Sequence, residues 1–152
     1  MLNYTKILCA FEFDEHATTA LLLASALAKE SNATLYLLHI AKVPTADMDV
    51  PLPFDADPRW EHEARAKLGA IAAENLGSEV RYQIEVRSGL PAADIVRAAD
   101  DLGADLIVMA SHGRSGLAHF LMGSVTEHVI REASCPVLII RPGLASSKKN
   151  PP

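Results

Sequence analysis

The sequence predicts an α/β fold in which a parallel sheet carries helices on both faces. Short apolar runs alternate with helical patterns along the chain, giving five strands separated by four helices. Several of the runs are apolar at consecutive positions, as expected of strands buried on both sides. Together these imply a single-domain three-layer sandwich over residues 1–142, with a flexible loop at 41–57 and a disordered tail at 143–152.

Lys6-Ile-Leu-Cys-Ala-Phe11 is the first strand. Asp14 follows as an N-cap for a helix reaching about Ser31, in which Ala17, Ala20, Leu21, Ala24, Leu27 and Ala28 share a face. Leu22 and Leu23 broaden that stripe, which suits a helix covered by more than one neighbour. Thr34-Leu-Tyr-Leu-Leu-His-Ile40 is the second strand, after which Pro44, Pro51 and Pro53 among four aspartates break the pattern.

Asp57-Pro58 restarts helical order as N-cap and first-turn proline, with Trp60, Ala64, Lys67, Leu68, Ile71 and Leu76 as a weak stripe and Gly77 as its stop. Val80 to Val86 alternates, marking a half-exposed edge strand. Pro91 opens a helix with Ile95, Val96, Ala99 and Leu102 on one face, and Gly103 closes it. Ala104 to Met109 is the fourth strand, Ser124 to Ala133 the fourth helix, and Val137-Leu-Ile-Ile140 the fifth strand.

Right-handed crossovers leave two sheet orders open, 2-1-3-4-5 and 3-2-1-4-5. The alternating third strand favours 3-2-1-4-5, because it then lies at an edge. In that order the chain reverses direction between strands one and four. Ligands of such sheets bind outside the carboxyl ends at that switch point.

The most informative stretch runs from Met109 to Thr126, with Gly113, Gly116 and Gly123 between a strand and a helix. Unpaired amides and the positive end of a helix dipole there can hold an anion, and glycine lets a ligand approach the backbone. The stretch fits neither GxxxxGK[ST] nor GxGxxG. It reads either as an anion or nucleotide cradle or as a set of turn-permitting glycines.

Other chemistries find little support. The net charge of −5 with 14 scattered basic residues argues against nucleic acid, and no apolar run approaches a membrane span. With no leader pattern either, the chain is expected in the cytoplasm. Cys9 and Cys135 form no CxxC motif and read as small apolar residues. His62-Glu-Ala-Arg-Ala is not HExxH, and His112, His119 and His128 lack the carboxylate or thiolate company of a zinc centre. His39, at a strand end, reads as a hydrogen-bonded structural residue, Arg114 as a solvated one, and no serine sits in GxSxG.

Over Tyr4 to Arg141 the chain resembles the universal stress protein family. The signature of its nucleotide-binding branch, G-x2-G-x9-G-[ST], is matched by Ala110-Ser-His-Gly113, nine residues, then Gly123-Ser124. Val86-Arg-Ser-Gly89-Leu-Pro91 with Ile95, and Ser124-Val-Thr-Glu-His-Val129 leading to Cys135-Pro-Val-Leu-Ile-Ile140, also look like the family. The first signature glycine is Ala110 here, and Glu12 stands where the family usually has an aspartate.

The resemblance implies a 3-2-1-4-5 sandwich of the adenine nucleotide α-hydrolase-like type, and homodimers through strand five, that is Val137, Leu138, Ile139 and Ile140. It implies ATP, with or without Mg, as the ligand. Gly113, Gly123, Ser124, Val125 and Thr126 would contact phosphates and ribose, Ala10, Phe11, Glu12 and Ile40 would line the adenine, and Met109, Ala110 and His112 would complete the site. No general base or nucleophile is evident, so the expected function is a nucleotide-dependent regulator of stress response. The alternatives are slow ATP hydrolysis or self-phosphorylation on Ser111, Ser124 or Thr126, and a dimeric adaptor that no longer binds nucleotide.

Overall fold

The computed structural model describes residues 3–42, 58–111 and 123–141. The elements are β1 (Lys6–Ala10), α1 (Ala17–Ser31), β2 (Thr34–Lys42), α2 (Pro58–Asn75), β3 (Arg81–Gly89), α3 (Pro91–Leu102), β4 (Leu106–Ala110), α4 (Ser124–Glu132) and β5 (Val137–Ile140). All pairings are parallel and the order is β3-β2-β1-β4-β5. Of the two orders open from the sequence, the one that puts the alternating strand at an edge is realised.

Alternation along the strands splits the core into two layers. Ile7, Cys9, Leu35, Leu37 and Val108 face α1 and α2, where they meet Ala20, Leu21, Ala24 and Leu68. Leu8, Ala10, Leu38, Ile40 and Met109 face α3 and α4, against Ile95, Ala98, Ala99 and Val129. Fully buried side chains such as Ile7, Leu8, Leu37 and Ile107 each contribute on the order of 2 kcal/mol by leaving water. The two central strands are therefore fixed by apolar contact on both sides, and their carboxyl ends are held in register.

Several boundaries differ from the sequence reading for identifiable reasons. β2 continues through Ala41 and Lys42, assigned above to a loop, because β3 offers partners to the end, Ala41 to Ser88 and Lys42 to Gly89. The 43–57 part of the expected loop and the 142–152 tail region lie outside the described residues. Leu22 and Leu23 do not widen the buried face of α1; they are 49% and 36% exposed. Lys67 is exposed, and Ala72 takes the buried place on α2. α2 ends at Asn75, with Leu76 N still donating to Ala72 O at 2.8 Å, so Gly77 lies just past the helix as expected, though without the left-handed φ of a glycine cap. Gly103 is the expected left-handed cap of α3, with φ 68°.

Candidate functional site

The chain leaves β1 toward β2 and leaves β4 toward β5, so the crevice at the carboxyl ends of β1 and β4 is the switch point. Ala10 is in register with Met109 across it, and Ala10, Met109 and Ile40 all belong to the α3/α4 layer. The structure thus brings together three residues expected at a nucleoside pocket. Ala10, Ile40 and Met109 are nearly inaccessible in the free chain, at 5%, 7% and 2%.

The loop leaving β1 is pinned on both sides of Glu12. Phe11 N donates to Leu38 O at 2.7 Å, and His39 Nδ1 is 2.9 Å from Phe11 O. Downstream, Asp14 Oδ1 accepts from His16 N at 3.0 Å and Ala17 N at 2.7 Å; α1 starts at Ala17 with His16 as its N-cap, so Asp14 is not the cap residue expected but ties the turn that leads into the helix. Glu12 is half-buried, with its Oε1 shielded from solvent. Phe13 between these anchors has a left-handed backbone, φ 58°. Its ring meets the Phe11 ring edge-on at 5.2 Å and the His39 ring at 4.7 Å. His39 is the structural residue the sequence suggested; Phe13 was not singled out, and the Phe-Glu-Phe spacing was its only signal.

On the other side of the crevice, β4 runs extended through Ala110, which is 8% exposed and packs in the α1 layer. Only Phe13 and Asn32 among described non-glycine residues have positive φ. The first signature position therefore has no conformational need for glycine here, and Ala110 fits it. Ser111 is buried, its N donating to Ile140 O at 2.9 Å and its Oγ reaching the same oxygen at 3.4 Å. His112 and Gly113, with the rest of 112–122, lie outside the described residues.

α4 begins with Gly123 as N-cap, φ −60° and ψ 155°, a residue with no side chain to cap the helix amides. Ser124 is thus the first helical residue, not the cap, and is exposed; Val125 is half-buried against the α3/α4 layer. Thr126 is fully buried, and its Oγ1 has no hydrogen-bond partner among the described residues. A buried hydroxyl without a partner costs about 1–3 kcal/mol. It sits in the first turn of α4, the end of a helix at which terminal amides and the dipole favour negative charge.

Groups of nucleophilic type lie near the described part of the site. The Cys9 thiol, beneath it in the α1 layer, is pushed up to about 12 by burial and is not a nucleophile at neutral pH. Ser111 is already committed to Ile140 O. No group of three or more metal-ligating side chains gathers among the described residues.

The sequence matches the profile of the Universal stress protein family over residues 3–141. It is 34% identical over 148 residues to Universal stress protein MJ0531 of Methanocaldococcus jannaschii, an alignment covering 91% of this chain and 82% of that protein. The solved structure of MJ0577, from the same organism, superposes with a TM-score of 0.74 at 30% identity, covering 94% of this chain and 99% of that one. A universal stress protein crystallised in complex with cAMP shares the fold, with a TM-score of 0.66 at 24% identity over 92% of this chain and 98% of that one.

Proposed function

The chain belongs to the universal stress protein family, and from that premise we propose that it is a cytoplasmic, homodimeric protein that binds ATP at the β1/β4 switch point and regulates a stress response according to its nucleotide state. The observation that carries the reading is Thr126: a fully buried hydroxyl without a partner among the described residues, in the first turn of a helix that has no side-chain cap among them either. A phosphate or sugar oxygen supplies what both lack. Val125 and Ser124, in the same turn, and Ala10, Phe11, Glu12 and Ile40 across the crevice complete a nucleotide-length site in this reading. His112, Gly113 and Mg, if the ligand brings it, would act at the phosphate end. The cAMP complex of a protein with this fold supports an adenine ligand for the architecture.

Dimerisation through β5 is supported by its position at a sheet edge, with Val137, Leu138 and Ile139 only half-buried in the single chain. Such an apolar edge invites another strand. The free thiols Cys9 and Cys135 suit a reducing compartment. No described helix is long and apolar enough to cross a membrane.

The test is native mass spectrometry of the purified protein, followed by calorimetric titration with ATP. A co-purified adenine nucleotide, or a calorimetric Kd of about 1 mM or tighter, is expected. Gly123→Val should abolish that binding and leave the folded dimer, because φ −60° and ψ 155° at Gly123 accommodate any side chain while the added bulk blocks backbone approach. Wild-type protein that neither carries nor binds nucleotide would instead support the adaptor alternative. Release of ADP and phosphate in proportion to protein would support the slow ATPase.

A further inference from the structure

We propose that Phe13 is a positioning residue for the nucleoside end of the site: its strained, aromatic-clamped turn fixes the direction in which Glu12 presents its carboxylate to the sugar hydroxyls. The inference rests on the nucleotide reading above. Its starting point is the backbone. A φ of 58° is routine for glycine and rare for a bulky side chain, and such a conformation persists only where the surroundings over-determine it.

The surroundings do so here. The Phe13 ring is edge-on to Phe11 at 85° and to His39 at 70°, geometries that favour aromatic contact. His39 cannot swing away, because its Nδ1 is held at Phe11 O. Core burial is not the reason for the large residue, since Phe13 remains 38% exposed. Phe11 is anchored to Leu38 and Asp14 to the first amides of α1. Between those anchors, the turn at Phe13 closes the short segment that carries Glu12.

A glutamate has one more rotatable bond than an aspartate and loses more freedom when a ligand orders it. Fixing its backbone beforehand lowers that cost, which is the use of storing strain beside a binding group. The ligand chemistry addressed is a pair of hydroxyl donors, as on a ribose, meeting a carboxylate acceptor, so Glu12 is assigned here to the sugar and not to the adenine that the family resemblance implies for it.

The experiment measures calorimetric Kd values for ATP and 2′,3′-dideoxy-ATP, and melting without nucleotide, for wild type, Phe13→Gly and Phe13→Tyr. Glycine relieves the positive φ, so Phe13→Gly should melt within about 3 °C of wild type or above it. Its ATP affinity should fall about tenfold or more while the dideoxy ligand binds as before, so discrimination between them collapses. Phe13→Tyr keeps the ring and should keep both values. Wild-type affinity and discrimination in Phe13→Gly overturn the inference and leave the nucleotide reading standing. Wild type that binds no ATP overturns both. If Phe13→Gly melts more than about 10 °C low, Phe13→Asn, which tolerates the left-handed turn, carries the same expectations and the same overturning result.

Discussion

Gly89 and Asp94 share one corner at the start of α3: a Cβ on Gly89 would overlap Asp94 Oδ2 and lie 2.8 Å from its Cγ. The carboxylate cannot step aside freely. Its Oδ2 accepts from Leu90 N at 2.7 Å and its Oδ1 from Arg97 Nη1 at 2.6 Å, while the residue is only 9% exposed. Gly89 also has φ 153°, which L side chains rarely adopt. Gly89→Ala therefore combines backbone strain with loss of a helix-terminal hydrogen bond, about 2–3 kcal/mol in total. Urea unfolding should show a lower midpoint at an unchanged slope.

Thr126→Val removes a buried oxygen at nearly constant volume. Because Oγ1 is without a partner among the described residues, the free protein should gain about 1 kcal/mol of stability. Under the ATP reading, nucleotide affinity should fall by about tenfold. Chemical unfolding and calorimetry on one preparation check both signs. A destabilised variant would mean that the hydroxyl is already paired in the free protein.

At the opposite ends of the strands, Asp105 ties β4 to β1. Its Oδ2 accepts from Thr5 N and Thr5 Oγ1, both at 2.8 Å, and its Oδ1 from Lys6 N at 3.2 Å. Desolvation raises its pKa, but the hydrogen bonds from Thr5 and Lys6 together outweigh it and hold the carboxyl below the usual 3.8. A depressed folded-state value stabilises the protein above 3.8 and is lost as pH falls through the lower value. Wild type should therefore lose melting temperature below about pH 4 more steeply than Asp105→Asn.

The thiols titrate in the other direction. Burial pushes Cys9 up to about 12, from 9.0. Cys135 is raised by desolvation, then by the charges of Asp100 and Asp105. For Cys9 the stabilisation is full below pH 9.0 and declines as pH rises toward 12, because the unfolded thiol ionises first. Ellman's reagent at pH 8 should find half-buried Cys135 slowly reactive and Cys9 unreactive in the native protein, and both reactive in guanidinium. Fast reaction of Cys9 in the native state would contradict its burial in the α1 layer.

Much of the architecture is legible in local patterns. The apolar runs at Ile7 to Ala10 and Leu106 to Met109, the alternation around Val86 and the prolines at 58 and 91 mark elements whose signals are local in sequence. The buried faces of α1 and α3, Ala17 to Ala28 and Ile95 to Ala99, belong to the same class. The misreadings occurred where a partner distant in sequence decides the outcome. Ala41 and Lys42 are strand because Ser88 and Gly89 pair with them, and Leu22 and Leu23 are exposed because α1 has only one covered face.

For the site, the sequence by itself determined which elements reach the switch point, since β1, β4 and the start of α4 follow from periodicity. It also carried the family resemblance, which the family match over residues 3–141 bears out. Tertiary structure alone decided that Ala110 needs no glycine conformation, that Thr126 lacks a partner among the described residues, and that Phe13 turns left-handed against His39. The reason is physical. Hydropathy acts on each residue separately, whereas hydrogen-bond satisfaction and backbone strain depend on neighbours that packing alone brings within reach.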